Sequence, residues 1–131
     1  INGAIAGLVS ITADPLSPAG GTAVIVGAIG GAIVYASIVF LEKAGVDDPV
    51  GAISAHGTVG IYGVLVVSLT GGASFMGQLT GVVMIAAFTY LTSLATIYVI
   101  NMIMPIRASD AEQEAGLDIS EVGIEAYPEF K

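Results

Sequence analysis

The chain has 131 residues, of which 55% are hydrophobic and only 11% charged, with 18 glycines, no cysteine and a formal net charge of −8. Without cysteine, neither a disulfide framework nor a thiolate metal site is available. No Asp, Glu, Lys or Arg occurs from Ile1 to Ala13, from Pro15 to Leu41 or from Pro49 to Ile106. A soluble domain needs charged faces on its outer helices, so gaps of this length, with a mean hydropathy of +0.91, point to lipid as the solvent. The acidity is local, since seven of the eleven Asp and Glu residues fall between Asp110 and Glu129. It describes a tail and not a substrate.

In chain order, Ile1 to Ala13 is too short to cross about 30 Å of hydrocarbon and reads as the second half of a longer helix. The chain opens inside this apolar run, with no basic n-region and no cleavage site, and so reads as a fragment whose earlier part is missing. Asp14, Pro15, Ser17 and Pro18 form a loop, because two prolines and a charge cannot continue the helix. Ala19 to Leu41 is the first complete span, about 34 Å long at 1.5 Å per residue. Gly20, Gly27 and Gly31 recur in it at helical spacings that allow close helix contact in lipid.

Val46 to Pro49 reads as a helix start, with Asp48 capping free N–H groups and Pro49 in the first helical position. The second span is expected from Pro49 to about Thr70, a loop from Gly71 through Gly77, and a third, tilted span from Leu79 to Met104. Pro105 and Arg107 close it. Lys43 and Arg107 flank ends that an alternating topology puts on one side, with Lys131 following in the tail. The positive-inside rule makes that side cytoplasmic. The domains are therefore a transmembrane part, residues 1–106, and a cytoplasmic tail, residues 107–131.

His56 is the only histidine, one third of the way along the second span. An ionisable residue in a membrane helix is costly and faces the bundle interior or a cavity. Its ring offers one donor and one acceptor, so it can pass a proton while bonded to a second ring. The competing reading is a polar residue that holds two helices together. Ala52 and Gly60, one turn to either side, share its face, which makes Ala52 a candidate pore-wall residue. Tyr62, Tyr90, Tyr98 and Asn101 are explained by interfacial belts or helix–helix hydrogen bonds.

The stretch VDDPVGAISAHGTVGIYGVL closely resembles the signature of the ammonium transporter family (Amt/Mep/Rh). NGAIAGLVSITA, upstream, is similar to the family's preceding helix, and EAGLDISEVGIEAY to its C-terminal motif. The resemblance implies an all-α integral membrane fold in which Ile1 to Met104 are the last four of eleven spans of a homotrimer in the cell membrane. That is one partial and three complete helices, each subunit having its own pore. His56 then matches the second of a pair of pore histidines, between which ammonium gives up its proton before ammonia passes. Asp48 matches the acidic residue of the D-D-P motif. The first histidine, a stacked phenylalanine gate and an external cation-recruiting aromatic are expected in the missing portion.

In the tail, Gly116, Leu117 and Asp118 match the core of the family's regulatory motif, which implies a PII-type signalling protein as partner. Ser120 stands where plant members carry a phosphorylatable threonine, while Val122 replaces the usual histidine. A merely solvated acidic tail is the plainer alternative. A different function class, an ammonium sensor on the same membrane fold, would be favoured by a kinase or cyclase domain after the tail. No enzyme, cofactor or metal is expected, because no nucleophile–base pair, ligand cluster or phosphate-binding loop is present in the sequence. So few basic residues exclude nucleic acid.

Overall fold

A computed structural model of the chain describes residues 1–125 and 127–129. Lys131, counted above among the basic residues, and Ala126 of the tail motif lie outside the described residues. Regular structure among the described residues is entirely helical. Helix α1 covers Asn2–Ile11 and α2 covers Gly20–Lys43. A π-helical turn, Ile53–Thr58, runs directly into α3, Val59–Thr70. Helix α4 covers Phe75–Ile103, α5 covers Asp110–Ala115, and a second π-helical turn covers Asp118–Val122. Three stretches are long and apolar enough to cross a membrane: α2 with 24 residues, the π turn plus α3 with 18, and α4 with 29. A short first helix and the three expected spans are present.

Two boundaries differ from expectation. Helix α4 begins at Phe75, so Gly77 lies in its first turn and the loop before it is short. Ser74 supplies the reason: its hydroxyl accepts the Gly77 N–H at 3.4 Å and its carbonyl accepts the Gln78 N–H at 3.0 Å. A serine in that position starts a helix. The second span begins at Ile53, later than Pro49, for reasons that belong to the site.

The chain forms two compact units, Ile1–Ala86 and the residues from Ala87 onward. In the first unit α1 lies against both α2 and α3. Its approach depends on absent side chains. A Cβ on Gly30 would collide with the Ser10 hydroxyl and stand 3.0 Å from the Ala6 carbonyl oxygen. One on Gly63 would stand 2.9 Å from the Ser10 carbonyl oxygen and 3.1 Å from that of Val9. Gly7 and Gly27 face each other across the α1–α2 contact. Glycine lets backbones come this close, and dispersion contacts then hold helices together where lipid offers no hydrophobic drive.

At the junction Ala6, Val34, Ala55 and Val59 form a buried core flanked by Ile5, Val9, Ile33, Ile38 and Tyr62. Several polar groups there are bonded. Ser10 donates to the Ala6 carbonyl at 2.6 Å. The Ser37 and Thr58 hydroxyls are 2.9 Å apart, and the Tyr62 hydroxyl donates to the Val26 carbonyl at 3.3 Å. In lipid such bonds between helices fix rotation as well as distance.

In the second unit α4 continues to Ile103 and the chain turns at Pro105. The Asn101 side-chain oxygen accepts the Ile106 N–H at 3.2 Å, which satisfies the backbone past the helix end. Ser109 and Glu112 form a capping box at the start of α5. No α4 residue is buried. A helix apolar on every side with none of them covered belongs among lipid tails or other helices.

The glycine contacts give a direct test. Gly63→Ala places its methyl against two backbone oxygens that cannot rotate away, and is expected to cost about 1–3 kcal/mol. Gly21→Ala, with nothing within 4 Å of the new carbon, is expected to leave stability unchanged. Thermal unfolding of the full-length protein in detergent compares the two.

Candidate functional site

The site starts in the loop before the π turn. Asp48, Pro49, Val50 and Gly51 make a β-turn closed by the Gly51 N–H donating to the Asp48 carbonyl at 2.9 Å. Asp in the first place, Pro in the second and Gly in the fourth are the residues such a turn favours. Pro49 is thus a turn residue and not the first residue of the helix. Gly51 has φ +72°, in the left-handed region that a side chain disfavours. The Asn2 carboxamide occupies the place where a Cβ would stand. The Gly51 carbonyl then accepts the Ala55 N–H at 2.7 Å, and the helix begins.

The turn folds the Asp48 carboxylate over the free N–H groups of this helix. One oxygen accepts from Ile53 at 3.0 Å and the other from Ser54 at 3.0 Å. The expected capping role of Asp48 is therefore fulfilled, from further upstream than a simple N-cap. Desolvation pushes its carboxyl up, but the N–H groups of Ile53 and Ser54 outweigh this and bring it below the ordinary 3.8. The buried Ser54 hydroxyl makes no hydrogen bond of ordinary geometry but lies near enough to lower it further.

The π turn carries His56. Its closing bond runs from the Val59 N–H to the Ser54 carbonyl, five residues back. Such widened turns concentrate at functional positions. Ser54 and Ala55 point into the core, and the buried side continues through Val59, Gly63 and Val67. His56 follows Ala55 and is turned out of that core. With Gly57, Gly60, Ile61 and Val64 it lines one wall of a groove of about 250 Å³. The first turns of α4 form the other wall, with Gln78, Gly81, Val82, Ile85 and Ala86. The walls are almost wholly apolar, and His56 and Gln78 are the hydrogen-bonding side chains on them.

The sequence expectations meet this geometry unevenly. Gly60 shares the His56 face. Ala52 is exposed one residue before the π turn and lies outside the groove lining. Gln78 was not singled out, and the antiparallel course of α3 and α4 was the signal that could have found it. The tail residues belong to the second unit. Gly116 has φ +96°, Asp118 opens the π turn, and Leu117 is partly exposed. The Ser120 hydroxyl makes long bonds of 3.5 and 3.4 Å to the Gly116 and Leu117 carbonyls. The capping box of Ser109 and Glu112, legible as S-x-x-E, was also missed. The Ser109 hydroxyl and N–H hold the Glu112 carboxyl below its ordinary value. Among the described residues no cluster of His, Cys, Asp or Glu could hold a metal ion.

A profile of the Ammonium Transporter Family matches residues 1–127. The chain belongs to the ammonium transporter family. Among similar proteins of this family, the chain is 36% identical to ammonium transporter Amt2 of Methanocaldococcus jannaschii, over 98% of the chain and 33% of the relative. It is 33% identical to ammonium transporter Amt2 of Archaeoglobus fulgidus, over 98% of the chain and 32% of the relative. It is 31% identical to the ammonium transporter of Bacillus subtilis, over 97% of the chain and 36% of the relative. The chain thus spans about a third of the length of the curated relatives it matches. Members of the ammonium transporter family are carriers of solute across membranes and not enzymes.

The Asp48 bonds can be read by amide exchange. Asp48→Ala is expected to speed exchange at Ile53 and Ser54, and Asp48→Asn to restore protection at one of the two. Because the folded carboxyl is depressed, its contribution is complete above the unfolded value and is lost as pH falls through the folded one. Protection at these two amides, relative to intrinsic rates, should therefore hold at pH 5 and fail only below 3.8.

Proposed function

We propose that the protein containing this chain moves ammonium or ammonia across the cell membrane along an apolar path lined by a histidine pair, of which His56 is one member. The observation that carries this is the setting of His56. It is the only histidine of the chain, and it opens onto an apolar groove within a membrane-spanning helix. Family membership and the names of the relatives support ammonium as the solute.

The chemistry follows from solvation. An ammonium ion without water or partners is very costly in such a groove, whereas neutral ammonia is much less so. An imidazole beside the path can take the proton on one nitrogen while the other stays bonded. A single ring cannot relay it far. His56 is the only histidine here, so the second ring comes from elsewhere in the protein. The π turn, fixed by Asp48 at its start and by the Thr58–Ser37 contact at its end, holds the His56 ring in register with the path. Ala52, exposed and outside the groove lining, would meet the path only where further helices complete it.

The proposal extends to a homotrimer, to residues 1–106 as the membrane part, and to residues 107–131 as a cytoplasmic tail. Lys43 and Arg107, at the ends of α2 and α4, support that orientation. The match of Gly116, Leu117 and Asp118 to the family's tail motif supports regulation there, with a PII-type protein as partner and Ser120 as the residue open to phosphorylation.

In the full-length protein, His56→Ala is expected to lower ammonium or methylammonium uptake by roughly a hundredfold. Unchanged uptake and selectivity would remove His56 from the path. The chain alone, purified into liposomes, is expected to show no ammonium flux, because half of the histidine pair is elsewhere.

A further inference from the structure

The groove beside His56 has a second polar residue that the chemistry of the histidine leaves unused. Gln78 stands in the first turn of α4 and is partly exposed. Its N–H donates to the Ser74 carbonyl at 3.0 Å as the helix begins. Among the described residues its carboxamide has no hydrogen-bond partner. The groove lies wholly within the first unit, so both of its walls belong to one compact body.

Gln78 and His56 stand toward opposite ends of this groove. Helix α3 ends at Thr70 and α4 begins at Phe75, so the first turns of α4 run back along the last turns of α3. Gln78 therefore lies toward the Val64 end and Ala86 toward the His56 end. From Val64 back to His56 is about 12 Å of helix, or roughly two turns. Between the two polar groups the walls are glycine, alanine and aliphatic side chains. A polar side chain within a membrane span faces a cavity or a partner group, because lipid gives it none. The plainer role is a hydrogen bond to another helix.

We propose that Gln78 is a solute-contact residue, whose carboxamide oxygen accepts an N–H of ammonium on the α4 wall of the groove. The inference rests on the reading of this groove as part of the solute path, and it adds α4 to the elements that line it. Ammonium has N–H donors only, whereas ammonia also has a lone pair that accepts. A carboxamide offers an acceptor and two donors on one group, so Gln78 can bond either form without changing its own charge. Its neutrality matters as well. A carboxylate in a low-dielectric groove would hold a cation tightly, while passage requires a contact weak enough to be left again.

The test is the concentration dependence of methylammonium uptake by the full-length protein, normalised to the amount in the membrane. Gln78→Leu removes the acceptor at similar size and is expected to raise KM roughly tenfold, as loss of one hydrogen bond to a charged group does, with a smaller effect on Vmax. Gln78→Glu keeps an acceptor and adds charge, so KM should stay at or below the wild-type value while Vmax falls. An unchanged KM in Gln78→Leu would overturn the proposal. So would a KM raised equally in both variants, or a lowered thermal midpoint of Gln78→Leu in detergent with KM unchanged, which is the signature of a helix–helix bond. His56→Ala measured in parallel separates the two readings. Unchanged uptake in His56→Ala with a raised KM in Gln78→Leu removes the histidine from the path and leaves Gln78 on it, and the reverse pattern removes Gln78 alone.

Discussion

Helices in lipid gain little by hiding apolar surface from one another, so what joins them must be contact and hydrogen bonding. In this chain that constraint is met by the seating of α1 against α2 and α3. Gly30 and Gly63 leave room for the backbone of α1 and for the Ser10 hydroxyl. Ala6 and Val59 are then fully buried, and the Ser37–Thr58 and Tyr62–Val26 bonds set how α3 is rotated. That rotation determines what His56 faces. With Ala55 and Val59 committed to the core, the histidine one residue on has the other side of the helix left to it.

The start of the same helix solves a second problem. Its first N–H groups have no partner within the helix, and near a membrane boundary water cannot be relied on to supply one. Asp48 reaches them from the far side of a β-turn. The cost is a turn that needs Gly51 in a left-handed conformation, with the Asn2 amide packed where a side chain would be. One carboxylate thus ties together the loop, the π turn and the residue that faces the groove.

Much of this was legible in the sequence. The charge-free stretches outlined all three spans, because burying a charge in hydrocarbon is the strongest single penalty a membrane helix faces. The D-D-P turn announced a helix start, and the lone histidine is a residue that lines the groove. Boundaries were less visible. Pro49 fits the first turn of a helix and the second place of a β-turn equally well. Only the glycine two residues later, read as a turn residue, decides between them. Gly77 looked like loop because it follows Gly71 and Gly72, yet Ser74 starts the helix before it. The π turn has no sequence signature of its own, and Gln78 enters the groove only because α4 runs back along α3. Ala52 shows the limit of helical spacing as a guide, since its distance from His56 in the chain did not bring it into the groove.

The three spans are not equally at home in a bilayer. Mean hydropathy is 2.4 for α2 and 1.9 for α4, but 1.5 for the span containing His56. That middle helix is also broken by a π turn and thinned by glycines. It enters the membrane on the weakest terms and is the one most enclosed by neighbours, while no residue of α4 is buried. The features that set His56 at the groove and those that favour insertion therefore pull against each other along a single helix, and α1 and α2 carry the difference. Changes that loosen their hold on it would show first as a protein that is made but not retained in the membrane.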